Sequence, residues 1–340
     1  MKSSRPGALA LVLSLAVVAG GCGSGGKSGT TITLYSGQHE QTTALLVSAF
    51  ERRTGINVKV RSDNEAVLAN QLAQEGSNSP ADVFYAENTP PLEFLSEKHL
   101  LAPLAPATLA KVDSKYNSAS RDWVGVSARV DVLVYNTKKL KPAQLPKSVM
   151  DLASPAWKGK IGIAPAETDF QPIVTSVIKT YGTERALKWL QGVKKNAGSH
   201  NYPDNESLSN VINRGQVELG LMNHYYWYRE RDEVGASNTT SAIAFFRPRD
   251  SGYVIDVSGA AVLKSSGNKV AAEKLVAFLV GTTGEGILAR SESYEYPLGS
   301  NVKTAKVSYP FASLRPTTFS LADLGDGRQA FDLLQQAQLL

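Results

Sequence analysis

One cysteine, Cys22, occurs in 340 residues. A lone thiol excludes a disulfide framework and any thiolate metal cluster. Charge of one sign is also scarce. The formal net charge is +5, and two of the 36 basic residues, Lys2 and Arg5, fall in a segment expected to be removed, which leaves 34 against 31 acidic residues. No basic run is interleaved with aromatics, so nucleic acid is not an expected partner. Apolar runs long enough to span a bilayer are missing too. What is present is the composition of a folded chain, 42% hydrophobic and 20% charged, with length enough for two lobes rather than one small core.

The place of Cys22 accounts for it. Lys2 and Arg5 give a positive start, Ala8 to Val18 form an apolar run, and Ala19-Gly20-Gly21-Cys22 follows. This is a secretory signal ending in small residues. It resembles a bacterial lipoprotein signal, which implies cleavage before Cys22 and a lipid on its sulfur, although Ala19 stands where such signals usually carry Leu. Residues 1–21 are therefore expected to be a signal peptide and 22–30 a flexible tether rich in glycine and serine. The expected location is extracytoplasmic, lipid-anchored to the cell membrane.

Past the tether, strand-like and helix-like patterns alternate. Thr31 to Tyr35 is β-branched and aromatic, hence a strand. Gln41 to Arg53 follows as a helix, with Leu45, Leu46, Ala49 and Phe50 as its apolar stripe. Ile56 to Val60 is a strand, Glu65 to Gln74 a helix and Asp82 to Ala86 a strand. A similar rhythm returns from Lys160 to Met222, with helices over Gln171 to Tyr181, Thr183 to Asn196 and Glu206 to Asn213. Val254 to Leu263 reads as extended and Val270 to Val280 as a helix. The pattern predicts an α/β fold of two lobes, each a mixed, mainly parallel sheet flanked by helices, with a cleft between. The expected division is 31–130 with 256–306 for the first lobe and 131–255 with 307–340 for the second. Strand-like segments near Val130 to Tyr135 and Tyr253 to Val257 are expected to link them.

Open sheets bind ligands beyond the carboxyl ends of their strands. Beyond the first strand comes Ser36-Gly37-Gln38-His39, and beyond the third Glu87-Asn88. Beyond Ile163 comes Ala164-Pro165-Ala166-Glu167-Thr168-Asp169, and beyond Met222 comes Asn223-His224-Tyr225-Tyr226-Trp227-Tyr228. Imidazole, carboxylate and phenol thus gather at one edge. Oxygen donors without sulfur suit hard cations. A free phenol has a pKa of about 10, and a trivalent ion lowers it in the way bound cations acidify water. Adjacent tyrosines with His39 and Glu87 therefore point to ferric iron, whereas histidine and carboxylate alone would leave zinc open. Taken singly, each motif also suits ordinary packing, and a Tyr-Tyr-Trp-Tyr run suits a lobe interface. It is their coincidence at strand ends that carries weight.

These residues resemble the bacterial ferric-iron-binding proteins of ABC importers, which share a transferrin-like two-lobed fold. The resemblance rests on Tyr35 to Glu40, Ser79 to Glu87, Val126 to Arg129 with Val134 to Thr137, Asn223 to Trp227, and Ser258 to Leu263. It implies an iron shell of His39, Glu87, Tyr225 and Tyr226. It also implies an ABC permease as partner, a monomer, and a synergistic anion such as phosphate or carbonate. Matching anion contacts fall on Asn205 and Asn223. The small turn that holds the anion in such relatives is replaced here by Glu167-Thr168-Asp169, with Arg129 as the positive partner. Two arrangements follow. Either these carboxylates turn to solvent while the backbone of the turn binds the anion, which is the slightly favoured expectation, or Asp169 enters the cleft in its place. The same fold binding an organic cation or an oxyanion is the alternative function. No nucleophile–base spacing stands out, so an enzyme is not expected.

Overall fold

Alternation of strand and amphipathic helix builds the first lobe as far as Ala86. The computed structural model describes residues 29–340 apart from 300, 301, 303, 305 and 319. The expected signal segment and Cys22 lie outside the described residues. Nine strands are described: β1 (Thr31–Ser36), β2 (Asn57–Ser62), β3 (Val83–Ala86), β4 (Trp123–Asn136), β5 (Ile161–Gly162), β6 (Leu219–Asn223), β7 (Ser241–Ala244), β8 (Ile255–Val262) and β9 (Tyr296–Pro297). Their order is β2-β1-β3-β8-β4-β6-β5, with β7 and β9 also pairing with β4.

The sheet is mixed. Parallel pairing is confined to β1–β2, β1–β3 and β5–β6. The largely parallel sheets expected from the alternating pattern stop there, because β4 and β8 run antiparallel to every neighbour. β4 changes partners along its length. Trp123 to Val130 of β4 pair with β8, while Asp131 to Tyr135 pair with β6. One 14-residue strand, buried along its whole length, therefore joins two sets of paired strands.

Helices cover the faces. In Glu40–Thr54 the buried stripe is Thr43, Leu46, Val47 and Phe50, the i, i+3, i+4, i+7 set. Leu45, expected inward, is 51% exposed. Helices Phe170–Tyr181 and Thr183–Ala197 cover the second lobe, and Arg328–Gln336 packs on both. Among the described residues no helix is long and apolar enough to cross a membrane.

One glycine sets how closely the site's elements approach. The Gly37 N–H donates to the Tyr85 carbonyl at 2.8 Å, and a Cβ there would lie 2.4 Å from Glu65 Cβ and 2.8 Å from Glu65 Cα. Neither neighbour is a flexible side-chain end, so the backbone itself would have to shift. Gly37→Ala is expected to lower stability by about 1–3 kcal/mol and to displace the segment carrying His39. An unchanged thermal midpoint would refute this.

A candidate metal site between the lobes

The tyrosine pair sits in the first turn of helix His224–Val234, directly after β6. Sequence reasoning placed it at a strand end. The added fact is that both phenols lie at a helix N-terminus, where the backbone dipole favours negative charge. Tyr225 is fully buried and Tyr226 nearly so. Their rings pack with centroids 4.1 Å apart, and both hydroxyls point into the cleft. The Tyr225 hydroxyl donates to Glu87 Oε1 at 2.9 Å and lies 3.2 Å from Asp169 Oδ2, and the Tyr226 hydroxyl reaches the same Asp169 oxygen at 3.2 Å.

Glu87 follows β3, and its Oε1 is 3.2 Å from His39 Nε2. His39 ends the segment after β1. Its N–H donates to the side-chain oxygen of Gln38, whose own amide donates to Glu295. His39, Glu87, Tyr225 and Tyr226, drawn from both lobes, thus meet in one place.

Arg129 of β4 lies beneath them, with no exposure. Its Nη2 donates to Asn88 Oδ1 and lies 3.4 Å from Asp169 Oδ1. Asn88 is oriented by Glu65, which accepts from its N–H at 2.7 Å and from its side-chain amide at 2.8 Å. The same amide reaches Thr168 Oγ1 at 3.3 Å, which ties the lobes together.

The favoured expectation that the carboxylates of the 167–169 turn face solvent fails for Asp169. It is 3% exposed and faces both phenols, because Arg129 and Asn88 compensate its burial. The two expected anion contacts are placed differently from the expectation. Asn223 is fully buried and donates to Asp256 Oδ2 at 3.3 Å. Asn205 is the first residue of its helix rather than the residue before it. That helix is capped by Asp204, which accepts from Ser207 N–H.

Electrostatics sort these groups. Burial, then Asp169 and Glu87, holds the Tyr225 phenol well above its ordinary pKa, and burial with the same carboxylates does so for Tyr226. Burial and the Glu87 charge raise Asp169, against the pull of Arg129. Burial would raise Glu87 as well, but His39 and Arg129 outweigh it and bring it down to about 2. For His39, burial works downward, yet the Glu87 carboxylate raises it overall. Glu167 is pushed up to about 8 by burial and by Asp169 and Glu206. Two phenols held above their ordinary pKa thus face the Glu87 carboxylate and the His39 imidazole.

Arg229, Asn88 and Glu65 were missed as site residues. Arg229 stacks 4.5 Å over the Tyr225 ring, and its Nη1 lies 3.2 Å from His39 Nε2. It stands four residues after Tyr225, so helical spacing would have found it. Asn88 adjoins Glu87, but nothing in the sequence reveals that it reaches Thr168 across the cleft.

Among the described residues no three His, Cys, Asp or Glu side chains gather as a metal site on their own; the phenols complete the set. An octahedral ion with bonds of roughly 2.1 Å sets adjacent ligand atoms about 3 Å apart. The oxygen and nitrogen separations of 2.9 to 3.2 Å fit such edges.

Two α/β lobes closed on convergent phenols, carboxylates and an imidazole define a binding protein of the two-lobed class. The chain belongs to the bacterial extracellular solute-binding protein family, whose pattern it matches over residues 78–315. It is 40% identical over 308 residues to a major ferric iron-binding protein of Neisseria meningitidis serogroup A, covering 90% of this chain and 92% of that one. It is 34% identical over 340 residues to an Fe(3+)-binding periplasmic protein of Serratia marcescens, covering 100% and 99%. Iron-bound HitA from Pseudomonas aeruginosa superposes with a TM-score of 0.86 at 40% identity, over 91% of this chain and 99% of that one.

Proposed function

We propose that this protein captures ferric iron outside the cytoplasm, in the cleft between its lobes, and delivers it to an ABC-type permease. His39 and Glu87 from the first lobe and Tyr225 and Tyr226 from the second are the proposed ligands. The observation that carries this is the meeting of the Tyr225 hydroxyl, the Glu87 carboxylate and the His39 imidazole across the cleft at 2.9 and 3.2 Å. Hard oxygen donors and two phenols favour a trivalent ion over zinc. An ion held from both sides stabilises the closed form, which a permease can distinguish from the open one. The Neisseria and Serratia relatives are named as ferric-iron binders, HitA is iron-bound, and none supports an organic or oxyanion cargo. The lobe division at β4 and β8, a lipid on Cys22 and a monomeric state belong to the same proposal.

Ferric iron added to the purified protein at neutral pH is expected to give a visible iron–phenolate absorption band that saturates at one ion per chain. A protein that takes up iron and stays colourless would sink the phenolate assignment.

A further inference from the structure

Strands β5 and β6 lead at their carboxyl ends toward the candidate site. Their opposite ends, with the end of antiparallel β4, form a surface that the iron reading leaves without a role. We infer that this surface is a membrane-contact face whose partner is the anionic phospholipid headgroups of a bilayer. The inference goes beyond the proposed cargo and does not depend on it.

Backbone hydrogen bonds bring the segments of this surface together. Asn136, the last residue of β4, donates its N–H to the Glu218 carbonyl at 2.9 Å, and the Glu218 N–H donates to the Lys160 carbonyl at 2.8 Å. The Gly159 N–H in turn donates to the Asn196 carbonyl at 2.7 Å. The Asn136 side chain donates to the carbonyls of Ile212 and Asn213, which fixes the last turn of helix Asn205–Asn213 beside it. Lys138 and Lys139 follow Asn136, Lys158 and Lys160 flank Gly159, Lys195 precedes Asn196, and Arg214 follows Asn213. These six cations crowd the ends of three neighbouring strands, whose axes span only about 10 Å.

The charge is left uncompensated. All of these side chains are exposed except Lys160, which is half-buried. Among the described residues none of them takes part in an ion pair. Two carboxylates, the half-buried Glu218 and Glu230, which feels the Arg214 charge, leave the surface strongly positive. Like charges so placed repel one another and do nothing for the fold. All but Arg214 are lysines, hydrated point charges on flexible stems. They suit a diffuse planar field better than the bidentate grip that arginine gives a single phosphate. An anionic bilayer attracts such a cluster, by about fivefold in affinity for each basic residue near its surface.

The chain ahead of β1 points to the same partner. Residues 22–30 precede Thr31, and a tether of that length reaches at most roughly 30 Å. With a lipid on Cys22, as proposed above, a bilayer is always within reach. β1 runs from Thr31 toward His39, so the tether joins the molecule at the end of β1 remote from the site. The lysine surface is likewise remote from the site, at the starts of β5 and β6. Lipid and lysines therefore hold the molecule on either side of the cleft and lay it along the membrane. Once the lipid is inserted, the second contact is intramolecular.

The test uses the mature chain, residues 22–340, without lipid, and vesicles of phosphatidylcholine with or without an equal part of phosphatidylglycerol. The protein is expected to sediment with the phosphatidylglycerol vesicles at about 50 mM salt, and to stay in solution at about 500 mM or with phosphatidylcholine alone. Lys138→Gln, Lys139→Gln, Lys158→Gln and Lys195→Gln combined are expected to weaken association by roughly a hundredfold or more. Lys59→Gln, Lys98→Gln, Lys264→Gln and Lys274→Gln combined remove the same charge from exposed positions elsewhere, and are expected to change it by less than about fivefold. Equal affinity of the wild type for both kinds of vesicle overturns the inference. So does an equal loss in the two combined variants, which assigns the attraction to net charge alone. Retention on heparin without vesicle binding overturns the bilayer as the partner. The visible ferric band is expected to be the same in the wild type and both variants, which reports intact folding, and the wild-type arms decide the matter even if a variant folds poorly.

Discussion

Tyr225→Phe with Tyr226→Phe is expected to abolish the visible band and to weaken ferric binding by more than roughly 10⁴-fold. Substituting even the outer partner of a metal ligand costs roughly 10- to 100-fold, and this variant removes two direct donors. The phenols also supply two of the negative charges that make the shell compatible with a trivalent ion. The change is confined to two oxygen atoms. The rings keep their packing, including the edge of His39 against Tyr225 at 5.4 Å and Arg229 over its face. Glu87 keeps His39 as a partner, and Asp169 keeps Arg129. Stability is therefore expected to change by only about 1–2 kcal/mol, which thermal unfolding can verify independently. A double variant that still turns coloured with ferric iron would refute the ligand assignment.

Acid is expected to be the second strong lever. In the metal-free closed site, burial and the neighbouring carboxylates hold both phenols above their ordinary pKa, so both carry protons at neutral pH. Binding must expel them. Protons are then products of binding, and a fall in pH drives the equilibrium toward release. Two protons per ion correspond to about a hundredfold loss of affinity for each pH unit lowered. Despite its burial, His39 is raised above its ordinary value by the Glu87 carboxylate. Once the imidazole is protonated, a third proton must leave and the slope steepens on the acid side. Competition with a chelator of known affinity across several pH values measures the slope, and proton release into weakly buffered solution gives the same number directly. An affinity independent of pH would count against phenolate coordination as a whole.

The shell itself was legible because each member follows a strand that the residue pattern reveals. Thr31 to Tyr35 delivers His39, Asp82 to Ala86 delivers Glu87, and Val217 to Met222 delivers the tyrosines. What surrounds the shell was less legible. Asp169 was expected to face solvent because a carboxylate beside an anion pocket is repelled. The compensating groups, Arg129 and Asn88, lie 40 and 81 residues away along the chain, beyond the reach of any local pattern. The largely parallel sheet was expected because alternating strands and helices imply crossovers on the same hand. The sequence near Val130 reads only as extended, with Arg129 and Asp131 on either side of it, so nothing in it tells a link from a strand that changes partners along its length. Leu45 was placed on an apolar helical stripe with Leu46, Ala49 and Phe50, whereas the buried face is turned toward Thr43, Leu46, Val47 and Phe50 and accepts a threonine.

The middle strand of the first lobe arrives late. β8 lies between β3 and β4, yet it is the eighth strand in chain order. A nascent chain leaving the ribosome therefore cannot close that sheet until Val262 has been made, and until then two strand edges have no neighbour. Long-range pairing of this kind is slow. A chain cut short before Ile255 would leave β3 and β4 without the neighbour they share.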